Sequence, residues 1–258
     1  MCLIVFAYRV HPDFPVIIAA NRDEFYARPT QPLFAWTDGS DIVAGRDLKG
    51  GGTWMGITRH GRLAALTNYR EPGRQVAEAP SRGHLVKDFL MGSENLNDYL
   101  QKMARTGHRY NGFNMILSEG DQWVYYSNRN KDPQVLPPGV HGLSNHLLNT
   151  PWPKVVRSRQ AVATLLARKG PPDVESLMQI LQDRTIPPDG DLPDTGIGMA
   201  WERRLGSIFI HSEIYGTRSS TVLLAAKDGR VRVRERTFKP DGSTGDVECK
   251  LRIPVRPA

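Results

Sequence analysis

The chain opens on an unbroken apolar run, Leu3 to Tyr8, too short to cross a membrane and suited to a buried strand. Val16 to Ala20 forms a second apolar run. Gly51 to Thr58 and Arg62 to Thr67 then flank His60-Gly61 and predict a hairpin, so residues 1–70 read as β-rich. Beyond them the apolar spacing becomes helical. Ser81 stands where it would cap a helix through Met91, and Leu96, Tyr99, Leu100 and Met103 mark one face of a helix over Glu94 to Arg105. Phe113 to Ser118 and Gln122 to Ser127 return to strand, joined by the turn Glu119-Gly120-Asp121. After Pro137-Pro138-Gly139 a short strand is predicted at Gly142 to Ser144. A long helix follows from Pro153 to Lys169, stopped by Gly170-Pro171-Pro172, and another over Val174 to Gln182. Ile186 to Ile197 is rich in Pro, Gly and Asp and predicts a surface loop. Strands resume at Ser207 to His211, Ser220 to Ala226 and Val231 to Phe238. Hairpin strands with helices grouped between them predict a layered α+β fold with largely antiparallel sheets, as one domain over residues 1–258.

Composition narrows function more than fold. A chain that is 40% hydrophobic and 24% charged is ordinary for a globular protein. No window approaches a membrane span and the start lacks a basic n-region, so the expected location is cytoplasmic. Two cysteines, Cys2 and Cys249, cannot make a disulfide framework. The net charge is +7, but the Arg and Lys residues are scattered, and no recognition motif accompanies them. Nucleic acid is therefore not an expected partner, whereas an anionic small molecule suits the charge. Seven dispersed histidines show no metal-ligand spacing, so no metal is expected. A single axial haem ligand would leave no such signature.

Cys2 is the sharpest candidate for chemistry. Removal of Met1 would leave a thiol and an α-amine on one residue, and an amine with a pKa near 8 can act as base for its own thiol. From position alone, the simpler reading is a small buried cysteine at the start of a strand. Asn21-Arg22-Asp23-Glu24 directly follows the second apolar run, where a strand would leave the core; it reads either as a polar cluster near Cys2 or as a solvated turn. Asn68 and Asn145 end apolar runs, and Arg218 precedes one. Asparagine is a neutral oxyanion donor, and arginine binds a carboxylate or orients an acid. Gly50-Gly51-Gly52-Thr53-Trp54 lacks the Lys-Ser/Thr ending of a phosphate loop and reads as a close backbone approach before a strand.

Taken together, these motifs resemble the NRDE family, also called the transport-and-Golgi-organisation family, over nearly the whole chain. The resemblance rests on Met1-Cys2-Leu3-Ile4, Asn21-Arg22-Asp23-Glu24, Gly51-Gly52-Thr53-Trp54 with Gly56, Thr67-Asn68, Gly142-Leu143-Ser144-Asn145, and Tyr215-Gly216-Thr217-Arg218-Ser219-Ser220-Thr221. That family is similar in turn to the cysteine N-terminal-nucleophile (Ntn) hydrolases, which implies a four-layer αββα sandwich of two mainly antiparallel sheets flanked by helices. By the same resemblance Cys2 is the nucleophile, Asn68 an oxyanion-hole residue, Asn145 a second active-site asparagine and Arg218 an active-site arginine. The hydrolases carry an Arg and, three residues later, an Asp. Here Asn21 and Glu24 fill that spacing while Arg22 and Asp23 are adjacent, and strand alternation would send those two to opposite faces.

Two functions follow as expectations. In the first, Cys2 attacks a linear amide or thioester, with Asn68 and Asn145 at the oxyanion and Arg22 with Asp23 or Glu24 orienting the amine. Asn21 and Glu24 would contact the substrate. This chemistry requires no cofactor. In the second, the scaffold carries haem as a transported ligand or binds a lipid or acyl-CoA without catalysis.

Overall fold

The computed structural model describes residues 2–38, 40–130 and 132–255. In chain order the elements are β1 (Cys2–Tyr8), β2 (Val16–Phe25), β3 (Thr30–Ala35), β4 (Ile42–Asp47), β5 (Met55–Thr58), β6 (Leu63–Asn68), α1 (Gly83–Met91) and α2 (Leu96–Thr106). They continue as β7 (Phe113–Glu119), β8 (Gln122–Ser127), β9 (Gln134–Val135), β10 (Gly139–Leu143), α3 (Pro153–Leu166), α4 (Val174–Leu181) and α5 (Met199–Leu205). Three long strands close the chain: β11 (Tyr215–Ala225), β12 (Arg230–Phe238) and β13 (Thr244–Arg252).

The strands form two sheets, ordered β10-β1-β2-β11-β12-β13 and β3-β4-β5-β6-β7-β8-β9, and the pairings are antiparallel. Alternation along each strand gives every sheet two apolar faces. Ile4, Phe6 and Ile18 of the first sheet meet Ile57, Ala65, Ile116 and Trp123 of the second in one core between the sheets. There the Phe6 and Trp123 rings stack with centroids 4.6 Å apart. The opposite face of the first sheet, through Val5, Ile17 and Ala19, packs against Leu177 and Met178 of α4 and Val162 of α3. The outer face of the second, through Ala64, Met115 and Leu117, packs against Val86 and Phe89 of α1 and Leu100 of α2. The result is the four-layer α+β sandwich, helices–sheet–sheet–helices. Its inner layer also holds a buried carboxylate, Glu235, which accepts the Leu33 N–H at 2.8 Å and so ties β12 to β3 across the two sheets.

Several elements differ from expectation. Ser207 to His211 is apolar because it is buried, not because it is a strand; Phe209 N–H donates to Asp183 O outside any ladder. Ser81 offers α1 its carbonyl rather than a side-chain cap, accepting from His84 N–H at 3.1 Å. β2 does not stop at Ala20 but carries the polar cluster through to Phe25. That continuation makes the site.

Candidate functional site

Cys2 heads β1 and pairs in register with Arg22 of β2. Residues opposed in an antiparallel ladder share a face, so Cys2 and Arg22 both lie on the inter-sheet side, in line with Ile4 and Ile18. The thiol is half-buried at its surface yet enclosed by protein, and this burial pushes it above the ordinary cysteine range. The Asp23 backbone N–H and the Arg22 charge act in the other direction, favouring thiolate. Met1, whose removal the nucleophile reading requires, lies outside the described residues.

Arg22 is buried. Its guanidinium donates to Thr30 Oγ1 at 3.1 Å, lies 3.7 Å from Asp47 Oδ2, and covers the Trp54 ring at 4.4 Å. Two glycines, Gly45 of β4 and Gly52 of the glycine-rich motif, leave room around that contact. A Cβ on Gly45 would fall 2.2 Å from the Trp54 ring, and one on Gly52 would fall 2.3 Å from the Gly83 backbone. The sequence expectation of a close backbone approach holds at Gly52, which lies against the start of α1 two residues before Trp54, the ring that Arg22 covers.

Asn21 and Asp23 point the opposite way, toward the helices. Asn21 is expected at the substrate; the structure places its side chain on the helix side, away from the face that carries Cys2. Its Nδ2 donates to Leu181 O at 2.8 Å and Ile208 O at 2.9 Å, while Oδ1 accepts from Ser220 Oγ at 2.6 Å. Buried and committed on both amide atoms, it joins β2, β11, α4 and the 207–210 segment. Asp23 accepts from Thr217 Oγ1 at 2.7 Å, and burial raises its carboxyl, opposed chiefly by Lys154. Arg22 and Asp23 thus occupy opposite faces, as alternation predicts. Glu24 returns to the inter-sheet side at the rim, half-buried, 3.8 Å from Arg28.

Asn68 and Asn145 are brought together, and a chain of hydrogen bonds reaches Cys2. Ser144 Oγ lies 3.0 Å from Cys2 O and 3.2 Å from Asn145 Oδ1, and Asn145 Nδ2 donates to Asn68 O at 2.9 Å. Asn145 is fully buried and holds backbone in place. The Asn68 side-chain amide, half-buried at the end of β6, makes no hydrogen bond among the described residues. It is the donor left over for a ligand.

Arg218 sits in a β-bulge between Thr217 and Ser219, where β11 slips one residue against β2. The bulge aims its Nη1 at three carbonyls, Phe25 at 2.9 Å, Tyr26 at 3.2 Å and Arg28 at 3.0 Å. Its contacts therefore run to the β2–β3 loop rather than to Cys2 itself.

Four charged residues near the site carried no readable signal in the sequence. Arg70 donates to Glu202 Oε2 at 2.6 Å, both buried, and covers the Trp152 ring at 4.7 Å. Lys154, in the first turn of α3, is buried and donates to Leu205 O at 3.0 Å. Burial lowers its ammonium to about 8, with Asp23 the main charge opposing that shift. Arg82 donates to Gly112 O at 3.0 Å. Each looks like a surface residue in sequence, and only the tertiary fold buries it. Among the described residues no group of three or more His, Cys, Asp or Glu side chains is placed to hold a metal ion. Among the described residues no helix is long and apolar enough to cross a membrane.

Two stacked antiparallel sheets between helical layers, headed by a cysteine strand, define a fold of the Ntn-hydrolase class. A solved structure, the Caenorhabditis elegans N-acylethanolamine-hydrolyzing acid amidase ortholog, is similar with a TM-score of 0.52 at 14% identity, over 86% of this chain and 92% of that one. The chain belongs to the family described as Transport and Golgi organisation 2, which matches residues 1–240. It is 38% identical to the Mus musculus Transport and Golgi organization 2 homolog, over 92% of this chain and 93% of the relative. The Drosophila melanogaster Transport and Golgi organization protein 2 is 27% identical, over 92% of each chain.

Proposed function

We propose that this protein carries out cysteine-dependent acyl transfer to water or an amine, from a linear amide or a thioester. The observation that carries the reading is that the backbones of Cys2 and Asn68 are tied together through Ser144 and Asn145, with the Asn68 side-chain amide left uncommitted among the described residues. With Met1 removed, the α-amine takes the thiol proton and sulfur attacks the acyl carbon. The carbonyl electron pair moves to oxygen, where the Asn68 amide donates to it. Collapse expels the amine or thiol leaving group with that proton, and water or an amine then releases the acyl group. Arg22 favours the thiolate, and Asn145 holds the backbone of Asn68 in place. Support comes from these side chains rather than from the fold shared with an amidase, because one fold hosts many chemistries. The test is an electrophilic acyl probe read by intact mass, which also reports Met1. Wild-type protein gains one acyl group and Cys2→Ala gains none; equal labelling of the two overturns the assignment.

A second reading has one observation in its favour, the burial that holds the Cys2 thiol protonated. In it the same cleft binds haem, a lipid or an acyl-CoA without covalent chemistry. A saturable Soret shift at micromolar haem, unchanged in Cys2→Ala, would select it.

A further inference from the structure

Arginines gather around the ends of β2 and β6, and most are matched. Arg22 and Arg28 share Asp47, at 3.7 Å and 2.7 Å. Arg129 pairs with Glu71, and Glu24 lies beside Arg28. Arg70 pairs with Glu202. Arg82 differs. Among the described residues no carboxylate reaches ion-pair distance of it, and its one hydrogen bond runs from Nη1 to Gly112 O. The remaining guanidinium nitrogens are uncommitted. Arginine has five donors in a flat fork, so a half-buried arginine with one bond retains a face suited to an anion.

Its position is fixed from two sides. Ser81, its neighbour in the chain, and the Arg28 guanidinium both border Gly50, where a Cβ would lie 2.8 Å from Ser81 Oγ and 3.4 Å from Arg28 Nη2. On the other side, Gly112 O also accepts the Tyr69 N–H at 2.8 Å, one residue beyond Asn68. Arg82 is therefore tied through Gly112 to the strand end that carries Asn68, and its chain neighbour Ser81 lies on the Gly50 side, where Arg28 reaches. We propose that Arg82 is an anion-binding residue of this cleft, which holds a carboxylate or phosphate on the acyl compound that Cys2 attacks. Burial lowers the Arg82 guanidinium below its ordinary range, and a charge on Cys2 is the largest influence opposing that shift. The inference rests on the acyl-transfer reading and names its substrate class.

The experiment compares three acyl thioesters of one chain length, ending in a carboxylate, a phosphate monoester or a methyl ester. The rate of Cys2 acylation is followed by intact mass. For the wild type, the two anionic probes are expected to react about tenfold faster than the ester at low salt. High salt should shrink that ratio, because the mouth is open to solvent. Arg82→Gln should bring the ratio close to one, while Arg82→Lys keeps part of it. If carboxylate and phosphate differ, the faster probe identifies the group. A wild-type ratio near one, a ratio indifferent to salt, or a ratio that survives in Arg82→Gln overturns the Arg82 assignment and leaves Cys2 chemistry standing. Absence of acylation by all three probes overturns the Cys2 reading and this inference with it. The salt series needs no variant, so a misfolded Arg82→Gln does not protect the proposal.

Discussion

Asn145 donates its side-chain amide to the backbone carbonyl of Asn68 at 2.9 Å, joining the end of β10 in one sheet to the end of β6 in the other. The same residue accepts from Ser144, whose hydroxyl also reaches Cys2 O. Asn145→Ala would leave the Asn68 carbonyl without that donor in a buried setting, at a cost of about 1–3 kcal/mol. Urea unfolding measures this. Acyl-probe labelling of Cys2 should fall as well, since the Asn68 backbone loses its anchor. A variant that loses stability but labels at the wild-type rate would reduce Asn145 to a purely structural role.

Asn21 offers the contrast, a motif residue whose work is architectural. Asn21→Ala removes three buried hydrogen bonds at once and strands the carbonyls of Leu181 and Ile208 with the Ser220 hydroxyl. At about 1 kcal/mol per net bond, plus the cost of unpaired groups, a loss of about 3 kcal/mol or more is expected. Asn21→Asp keeps the acceptor but loses both donors, so it should be no better. Chemical denaturation that finds either variant within ~0.5 kcal/mol of wild type would contradict this account.

Lys154 gives a pH signature. Its ordinary value of 10.5 falls to about 8 in the fold, so the folded chain releases this proton first. Between those values the unfolded state holds more protons, and this group makes stability rise with pH. Below about pH 8 the full penalty of the buried charge is present. Lys154→Met removes the penalty, so its stability relative to wild type should decline steadily from about pH 8 to 10.5. Buried Tyr125, pushed up to about 12, acts in the opposite sense near pH 10 but is common to both proteins and cancels in the difference. Parallel stability curves for the two proteins would show that Lys154 does not titrate in this way.

The legible parts of the fold were those with strong periodicity. β7 and β8 around Gly120 and the paired β5 and β6 could be read from alternation and turn residues alone. β13 could not. Its pattern leaves only Leu251 buried, with Val247 and Cys249 partly so, and Gly, Asp, Glu and Lys elsewhere, because it is an outer strand of its sheet. α5 is seven residues long and follows a loop of Pro and Gly, too brief for a helical period to register. At the site, motif resemblance pointed to Cys2, Asn68 and Asn145, and they lie on one hydrogen-bonded path. Alternation correctly separated Arg22 from Asp23. What it could not supply was burial: Lys154, Arg70 and Glu202 are ordinary charged residues until the layers close over them. Nor does a β-bulge announce itself in sequence, so the aim of Arg218 was unreadable.

That bulge has a mechanical consequence. Three carbonyls, one at the end of β2 and two in the connection to β3, converge on a single nitrogen, so one side chain holds the whole segment. Losing the Arg218 side chain would free all three contacts together. The connection also leads into Thr30, which steadies Arg22, and contains Arg28, which shares Asp47 with it. One guanidinium on β11 therefore acts as a latch for the wall of the cleft. A loosened latch would be felt at the thiol as a change in the charge facing it, with no residue that touches the thiol having been altered.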